Sequence, residues 1–319
     1  MNSTEPVTPR PQISDKLLAG FSVSHLVFSV LWFPFSTTLI KYRVNYVPRR
    51  VSLDGERSRV PESGEGAVKS YFGMLKKVLR VEGFSGFYKG FMPWLLEYIV
   101  CLVIDRLHVK FFFSMSDDGA FSSSPRNRVY RIFETLLFLP VKIVAMRATT
   151  CSYKLPWFDS TVSLNALLTE AEHQRPWLLF LAPGVLVLEA LALAYDAYAF
   201  SHFFTKIIAP NYGGDKSVAK PRRSLARFVS FLCFAALNVT VKCFLDVVSA
   251  RLCVQRNDQT GDDASSVSKI TKRDVAGNLP YTGFVDCVQR IVNEEGLSAL
   301  FRAWWYDLIM RYWWLPFLF

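Results

Sequence analysis

The residues of this sequence best placed to do chemistry are charged side chains inside or beside long apolar stretches. They are Glu97, Glu134, Lys142, Glu189, Asp196, Lys242 and Asp246. A charged side chain at bilayer depth is costly, so such residues usually face the interior of a helix bundle or a water-filled cavity. The alternative is that some of them lie at helix ends, where they snorkel to the surface or form structural ion pairs.

No pattern typical of an enzyme or a metalloprotein accompanies these charges. The histidines are scattered without ligand spacing, and no phosphate-binding loop, nucleophile elbow or Cys/His pairing occurs. The six cysteines include no C-x-x-C pair, so we expect free thiols rather than disulfides or a zinc site. We therefore expect no catalytic residue, no metal site and no cofactor.

The composition indicates that these charges belong to a membrane protein. The 319 residues are 51% hydrophobic and carry a net charge of +10. The segment Leu17–Ile40 contains no acid, lysine or arginine and is long enough to cross a bilayer core. The basic residues are dispersed, which is typical of loops beside membrane spans and not of nucleic-acid binding. We therefore predict a multi-span helical protein whose partner is the lipid bilayer, with no nucleic acid.

One stretch recurs along the chain. Glu82–Glu97 reads EGFSGFYKGFMPWLLE, and Glu295–Tyr306 reads EGLSALFRAWWY in register with it. Glu172–Pro183 reads EHQRPWLLFLAP and keeps only the acid, a displaced tryptophan and the proline. These similarities favour a threefold internal repeat.

The segments before each copy are also related. PFSTTLIK, PVKIVAMR and FLDVVSAR begin at Pro34, Pro140 and Phe244, and they close on Lys41, Arg147 and Arg251. Before the first copy, an amphipathic stretch places Tyr71, Leu75, Val78 and Leu79 on one face. The predicted unit is a proline-kinked helix with a basic exit, an amphipathic helix, the E-G motif and a second helix.

This arrangement resembles the mitochondrial carrier family. In that family the odd-numbered helices end P-x-D/E-x-x-K/R-x-K/R, and the interfacial helices end in E-G, an aromatic, a base and G-x-x-P. EGFSGFYKGFMP, FLDVVSARLCVQ and YTGFVDCVQRIVNEEG match these motifs. The resemblance implies an all-α membrane protein with three tandem repeats, each of two tilted transmembrane helices plus an interfacial helix, in a pseudo-threefold six-helix bundle around a cavity.

The resemblance also implies domain boundaries. We expect a disordered N-terminus at 1–14, repeat 1 at 15–114, a weak repeat 2 at 115–209 and repeat 3 at 210–319. The last apolar segment, Trp304–Phe319, is short for a span, so we expect a sixth helix that is truncated or lies in the interface. The motif prolines and glycines are expected to be architectural: Pro34, Pro93, Pro140, Pro183, Gly83, Gly90 and Gly296.

The family resemblance further implies alternating access, in which the acid of each odd-helix motif pairs with the base of the next and so closes one side. Here the acid position holds Ser36, Lys142 and Asp246, and the base position holds Leu39, Ala145 and Ser249. The implied gate pairs therefore cannot form. A shifted register in the first repeat would instead place Lys41 opposite Asp246.

The even-numbered helices depart from the family pattern as well. Their implied gate motif, F/Y-D/E-x-x-K/R, survives only in part around Asp105 and Asp196. Glu97 stands four residues after Pro93, where a base is frequent in the family, and this puts an anionic substrate in doubt. The resulting candidates for cavity and gate residues are Glu97, Lys142, Glu189, Asp196, Asp246, Lys41, Arg147 and Arg251.

Two functions stay open. The first is transport of an unknown small-molecule substrate across a mitochondrial membrane, inner or outer. The second is a non-transporting carrier relative of the outer membrane that binds a membrane-protein partner and acts in membrane organisation, fusion or protein insertion. A structural subunit of a membrane complex is a third hypothesis.

Overall fold

The computed structural model consists of helices and connecting turns, with no strand among the residues that it describes. Those residues are 15–45, 47, 68, 70–112, 125–151, 155–156, 159–182, 184–196, 225–255 and 281–312. The predicted disordered N-terminus, the greater part of the predicted loops, and Pro183 lie outside the described residues.

The helices fall into three units. Unit 1 (residues 15–112) contains α1 (Asp15–Val44), α2 (Tyr71–Val81), a 3-10 helix (Phe84–Tyr88) and α3 (Phe91–Phe112). Unit 2 (125–196) contains α4 (Pro125–Thr150), α5 (Ser160–Leu167), α6 (Glu170–Gln174), a 3-10 helix (Pro176–Leu179) and α7 (Val185–Ala194). Unit 3 (225–312) contains α8 (Leu225–Val254), α9 (Phe284–Glu294), a 3-10 helix (Leu297–Phe301) and α10 (Trp304–Tyr312).

The amphipathic helix α2 buries a narrower face than the sequence pattern predicts. In α2, Tyr71, Met74 and Val78 are buried, whereas Leu79 is exposed. Positions 71, 74 and 78 follow the three-and-four spacing that lines one side of a helix. Met74 and Val78 pack with Phe87 of the adjacent 3-10 helix, so α2 and the E-G motif form one packed element beside α1.

Pro34 and Pro140 lie inside α1 and α4, as predicted, and both helices continue beyond them. The hydroxyl of Thr38 donates to the carbonyl of Pro34 at 2.8 Å. Both prolines therefore lie within the long helices, about two turns before the basic exits.

A residue with positive φ precedes α3, α7 and α10 in turn. Gly90 has φ 81°, Gly184 has φ 77° and Ala303 has φ 59°. The sequence comparison matched Pro183 with Pro93, but Gly184 takes the conformation of Gly90. Pro93 follows its glycine and Pro183 precedes its own, so the two prolines are not equivalent.

These turns are also where neighbouring units touch. A Cβ at Gly90 would lie 2.9 Å from the carbonyl oxygen of Ala145 in unit 2. A Cβ at Gly184 would lie 2.3 Å from the amide nitrogen of Phe284 in unit 3. Only glycine fits either place without movement of backbone atoms.

The long helices α1, α4 and α8 contact one another pairwise. At their carboxyl ends Val44, Ala250 and Val254 form one apolar cluster, with Met146 packed against it. Toward the amino ends, large apolar side chains are exposed on all three helices, including Val27, Leu31, Val129, Phe133 and Leu232. The three helices therefore converge at their carboxyl ends.

Within the described residues, two helical stretches are long and apolar enough to cross a bilayer, Phe84–Ile104 and Leu232–Val254. The number of six spans stays a prediction. The described part of the last helix ends at Tyr312.

Candidate functional site

The basic exits of the long helices each meet a glutamate of the following E-G copy. Lys41 Nζ lies 2.7 Å from Glu82 Oε2, Arg147 contacts Glu172 at 2.6 and 2.9 Å, and Arg251 NH2 lies 3.0 Å from Glu295 Oε2. These three contacts, called the exit pairs below, are almost completely buried. Lys41, Arg147 and Arg251, three of the predicted cavity or gate residues, therefore each form an ion pair within their own unit.

Two of the glutamates receive a second cation from a base seven residues further on. Lys89 Nζ lies 2.9 Å from Glu82 Oε2, and Arg302 NH2 lies 2.5 Å from Glu295 Oε2. Unit 2 has leucine at the corresponding position, Leu179.

In unit 2, a pair of local hydrogen bonds between Thr169 and Glu172 takes the place of the second cation. Thr169 Oγ1 accepts a hydrogen bond from the amide of Glu172, and the Glu172 carboxylate accepts one from the amide of Thr169, at 3.2 and 3.0 Å. This reciprocal pair is a capping box at the start of α6. It holds the Glu172 carboxylate where the Arg147 guanidinium can bind both oxygens.

The pKa values of two glutamates of the exit pairs, Glu172 and Glu295, are lower than the ordinary value for a glutamate. Burial would raise the pKa of Glu172, but hydrogen bonding and charge attraction from Arg147 outweigh burial and lower it. Burial likewise opposes ionisation of Glu295, and Arg251 followed by Arg302 lowers the pKa of that carboxyl. Both carboxyl groups are therefore ionised at neutral pH.

The same bases also bind carbonyl oxygens at the end of the next long helix. Lys89 Nζ donates to Cys151 O at 2.9 Å, Arg147 to Cys253 O at 3.2 Å and Gln255 O at 3.0 Å, and Arg251 Nε to Arg43 O at 3.2 Å. The last carbonyls of a helix have no partner within it and favour cations. Unit 1 thus binds unit 2, unit 2 binds unit 3, and unit 3 binds unit 1. The exit pairs with Lys89 and Arg302 are called the exit layer.

The positions implied to form the gate are occupied differently in each unit. Ser36 Oγ lies 3.2 Å from the hydroxyl of Tyr306. Lys142 Nζ contacts Glu189 Oε1 on α7. Asp246 Oδ2 lies 2.9 Å from Arg311 NH2. Positions 36, 142 and 246 with these partners are called the gate layer.

The alternative register for the first repeat is wrong. Lys41 binds Glu82 and not Asp246, because α2 and the E-G motif pack directly against the carboxyl end of α1. The cation of unit 1 that lies near Asp246 is Arg43, whose NH1 is 3.7 Å from Asp246 Oδ2.

Asp196, the remnant of the second gate motif, pairs with a long helix and not with an even one. Its Oδ1 lies 2.5 Å from Lys242 Nζ on α8. The neighbouring Tyr195 donates to Asn238 Oδ1 at 2.9 Å, and its ring lies 5.5 Å from Lys242 Nζ. The contact therefore joins unit 2 to unit 3. The side chain of Asp105 lies outside the described residues.

Glu97 lies half-buried on α3, which packs along α4. Its carboxylate is close enough to Lys142 and Glu134 to interact with both electrostatically. Glu97 and Glu189 are therefore both near the Lys142 ammonium where units 1 and 2 meet, and Glu134 is near Glu97.

The sequence interpretation did not select Arg43, Asp307 or Arg311 as site residues. Arg43 NH2 contacts Asp307 on α10, and both side chains are buried. Arg43 lies two residues after Lys41, in the last turn of α1. A second base at the end of this helix is a signal that the sequence contains, but the sequence does not show that its partner lies 264 residues away.

No group of three potential metal ligands occurs among the described residues. No disulfide joins any of the six cysteines.

Two comparisons with known proteins bear on this arrangement. The family model for the mitochondrial carrier protein matches residues 13–111 and 220–313, which correspond to units 1 and 3 and together exceed half of the chain. The mitochondrial 2-oxodicarboxylate carrier 2 of Saccharomyces cerevisiae is 33% identical over 87 residues, which is 27% of this chain. The matched region spans about a quarter (25%) of that relative.

Proposed function

The chain belongs to the mitochondrial carrier family, and from this premise we propose that it carries a small solute across a mitochondrial membrane, in which it is a multi-pass protein. The observation that supports transport most directly is the exit layer. It joins three long helices at their carboxyl ends, while apolar side chains are exposed toward their amino ends. A bundle that is closed at one end is one of the two states that alternating access requires.

We propose further that the three units are copies of one repeat around a common axis, with six spans. The order of the cation-to-carbonyl contacts supports this proposal, since it runs from unit 1 to 2 to 3 and back to 1. A closed ring of contacts that runs in one direction through the units is consistent with rotational symmetry.

The substrate class that we propose is a small solute with a positively charged group, such as an amine or an amino acid. The buried and half-buried charges that the structure describes in or directly after the bundle helices, outside the exit layer, favour it. The acids are Glu97, Glu134, Glu189, Asp196, Asp246 and Asp307, and the bases are Lys142, Lys242, Arg43 and Arg311. An excess of carboxylates attracts a cation and opposes a dianion.

The 2-oxodicarboxylate in the name of the yeast relative is therefore the natural competing substrate. The match to that relative covers 27% of this chain, and Glu97 places a negative charge where the family often has a base. Neither comparison supports the non-transporting alternative.

Counterflow into liposomes tests both parts of the proposal. Purified full-length protein is reconstituted in liposomes preloaded with an amino acid, an amine or a 2-oxodicarboxylate, and uptake of the labelled solute is measured. We expect uptake of a solute with a positive group, and at least a tenfold slower uptake in Glu97→Lys. The matched control is Glu170→Lys, which reverses an exposed charge on α6.

The two parts fail separately. No uptake in any solute class would overturn transport. Uptake of the 2-oxodicarboxylate alone would overturn the substrate class and leave transport standing.

A further inference from the structure

Arg43 joins unit 1 to two different helices of unit 3. One terminal nitrogen of its guanidinium contacts Asp307 on α10, and the other lies 3.7 Å from Asp246 on α8. Asp246 in turn accepts a hydrogen bond from Arg311 NH2 at 2.9 Å. The charges therefore alternate in sign along the order Asp307, Arg43, Asp246 and Arg311.

The inner part of this chain of charges is buried and the outer part is open to water. The side chains of Arg43 and Asp307 are 6% and 7% exposed, whereas those of Asp246 and Arg311 are 39% and 37% exposed. Arg43 also holds unit 3 through its backbone, because its carbonyl accepts from Arg251 Nε at 3.2 Å. Separation of α1 from α8 and α10 would therefore break the ionic contacts of Arg43 and expose its guanidinium and the Asp307 carboxylate.

The position of Arg43 on α1 accounts for its access to Asp246. The base implied by the family resemblance would stand at position 39, where this chain has Leu39. Position 43 is one helical turn further on and lies on the same side of the helix. Leu39 instead packs with Tyr71, Ala303 and Tyr306. Arg43 thus supplies the cation that position 39 lacks.

Buried ion pairs are better suited to switching than to permanent stabilisation. Their mutual attraction is largely offset by lost hydration, and if the groups separate into water the hydration is regained. The joined and separated states are then close in free energy, which is the property needed in an element that opens and closes.

We infer that Arg43, with Asp307 and Asp246, is the latch that closes the carboxyl end of the bundle between units 1 and 3. Its opening during a transport cycle rests on the proposed function, whereas its closure of the seam does not. Compared with the gate contact that the family resemblance implies, the base of the latch lies one helical turn further along α1. From there Arg43 reaches two acids of unit 3.

A native thiol reports on this seam. Cys243 on α8 is fully buried, and its Sγ lies 3.7 Å from Arg43 NH2 and 3.7 Å from Arg302 O. Cys287 on α9 is equally buried but belongs to an apolar core shared by units 2 and 3, which contains no residue of α1. If the seam opens, Cys243 becomes accessible to reagents and Cys287 stays protected. If the protein unfolds, both thiols become accessible.

The experiment compares maleimide labelling of the two thiols in full-length protein in liposomes, quantified by mass spectrometry. Arg43→Gln is the test variant, and Arg43→Lys is the conservative one. Arg290→Gln is the control, since it removes a similar charge from the partly exposed Arg290–Asp286 pair within α9. We expect maleimide to label Cys243 about tenfold faster in Arg43→Gln than in the wild type, because the variant loses a charge-assisted contact at the seam. Arg43→Lys should give an intermediate rate, and Arg290→Gln no change.

Two results would overturn the latch. One is a Cys243 labelling rate in Arg43→Gln that equals that of the wild type. The other is a parallel rise at Cys287, which would show that Arg43 holds the whole fold and not one seam. No substrate is used, so a chain that transports nothing yet shows the contrast between the two thiols would keep the latch and lose the proposed function.

Discussion

The exit layer and the gate layer lie close together on the same long helices, yet their chemistry differs. In the exit layer a base binds a glutamate of its own unit, and a base of the same layer binds a carbonyl of the next unit, in all three units. In the gate layer the three units present a hydroxyl, an ammonium and a carboxylate with unrelated partners.

Burial explains the difference. The side chains of the exit pairs are at most 8% exposed, whereas Lys142 and Asp246 are 34% and 39% exposed. Loss of one member of a buried pair leaves a charge stranded, but water can solvate the survivor of a partly exposed pair. We therefore expect substitutions to be tolerated better in the gate layer than in the exit layer.

Removal of one glutamate of the exit layer should give the largest loss of stability. Glu172→Ala strands the Arg147 guanidinium in a buried site, and we expect the free energy of unfolding to fall by about 3–5 kcal/mol. Thermal unfolding in detergent measures the loss. Glu170→Ala on the same helix is the control, and it should change stability by less than about 0.5 kcal/mol, since Glu170 is exposed. Equal effects of the two substitutions would contradict the comparison.

The close approach of units beside the exit layer gives the next largest effect. Gly184→Ala places a Cβ 2.3 Å from the backbone nitrogen of Phe284 at φ 77°, and we expect a loss of about 2–3 kcal/mol. Gly83→Ala has a similar φ of 71° with no atom within 4 Å of the added Cβ. Its ψ of −167°, against −11° for Gly184, lies in a region essentially restricted to glycine, so backbone strain alone should cost about 1–3 kcal/mol there. Apparent melting temperatures measure both losses. A loss of about 1 kcal/mol or less in Gly184→Ala, which left-handed strain alone would cause, would show that the contact with Phe284 contributes nothing.

The two acids around Arg43 test whether burial decides the cost within one cluster. Asp307→Asn changes a buried partner and should lower stability by about 1.5–3 kcal/mol. Asp246→Asn changes a partly exposed partner and should cost less than about 1 kcal/mol. Both variants remove one negative charge, so each serves as the control for the other in the same thermal unfolding assay. The reverse order of effects would show that exposure is the wrong criterion.

The smallest effect is the pH dependence of the exit layer. The pKa values of Glu172 and Glu295 are lower in the folded chain than the ordinary 4.5. Their contribution to stability is therefore complete above about pH 5 and is lost as pH falls through the lowered values. The melting temperature should be flat between about pH 6 and 8 and fall below about pH 4.5. In Glu172→Ala the fall should be shallower, and an unchanged slope would exclude Glu172 as its source.

Local sequence patterns predicted much of the architecture. The apolar lengths indicated membrane helices, the three-and-four spacing indicated α2, and the repeated E-G stretch placed the turns before α3 and α10. The family membership that these patterns implied is confirmed. The repeat pattern was weakest in unit 2. There the sequence interpretation aligned Pro183 with Pro93, whereas Gly184 is the residue that takes the conformation of Gly90. Composition offered no signal for that choice, since both residues are common in turns.

Apolarity and periodicity are local properties, so the amino-acid sequence alone indicates which residues carry charge in the bundle and that each long helix ends near a base. The partners of these charges depend on the tertiary structure. Lys41 binds Glu82, 41 residues away, and Arg43 binds Asp307, 264 residues away. Such pairs depend on the rotation and axial offset of helices from different units. Side-chain packing between units sets these quantities, and no spacing within one helix records them.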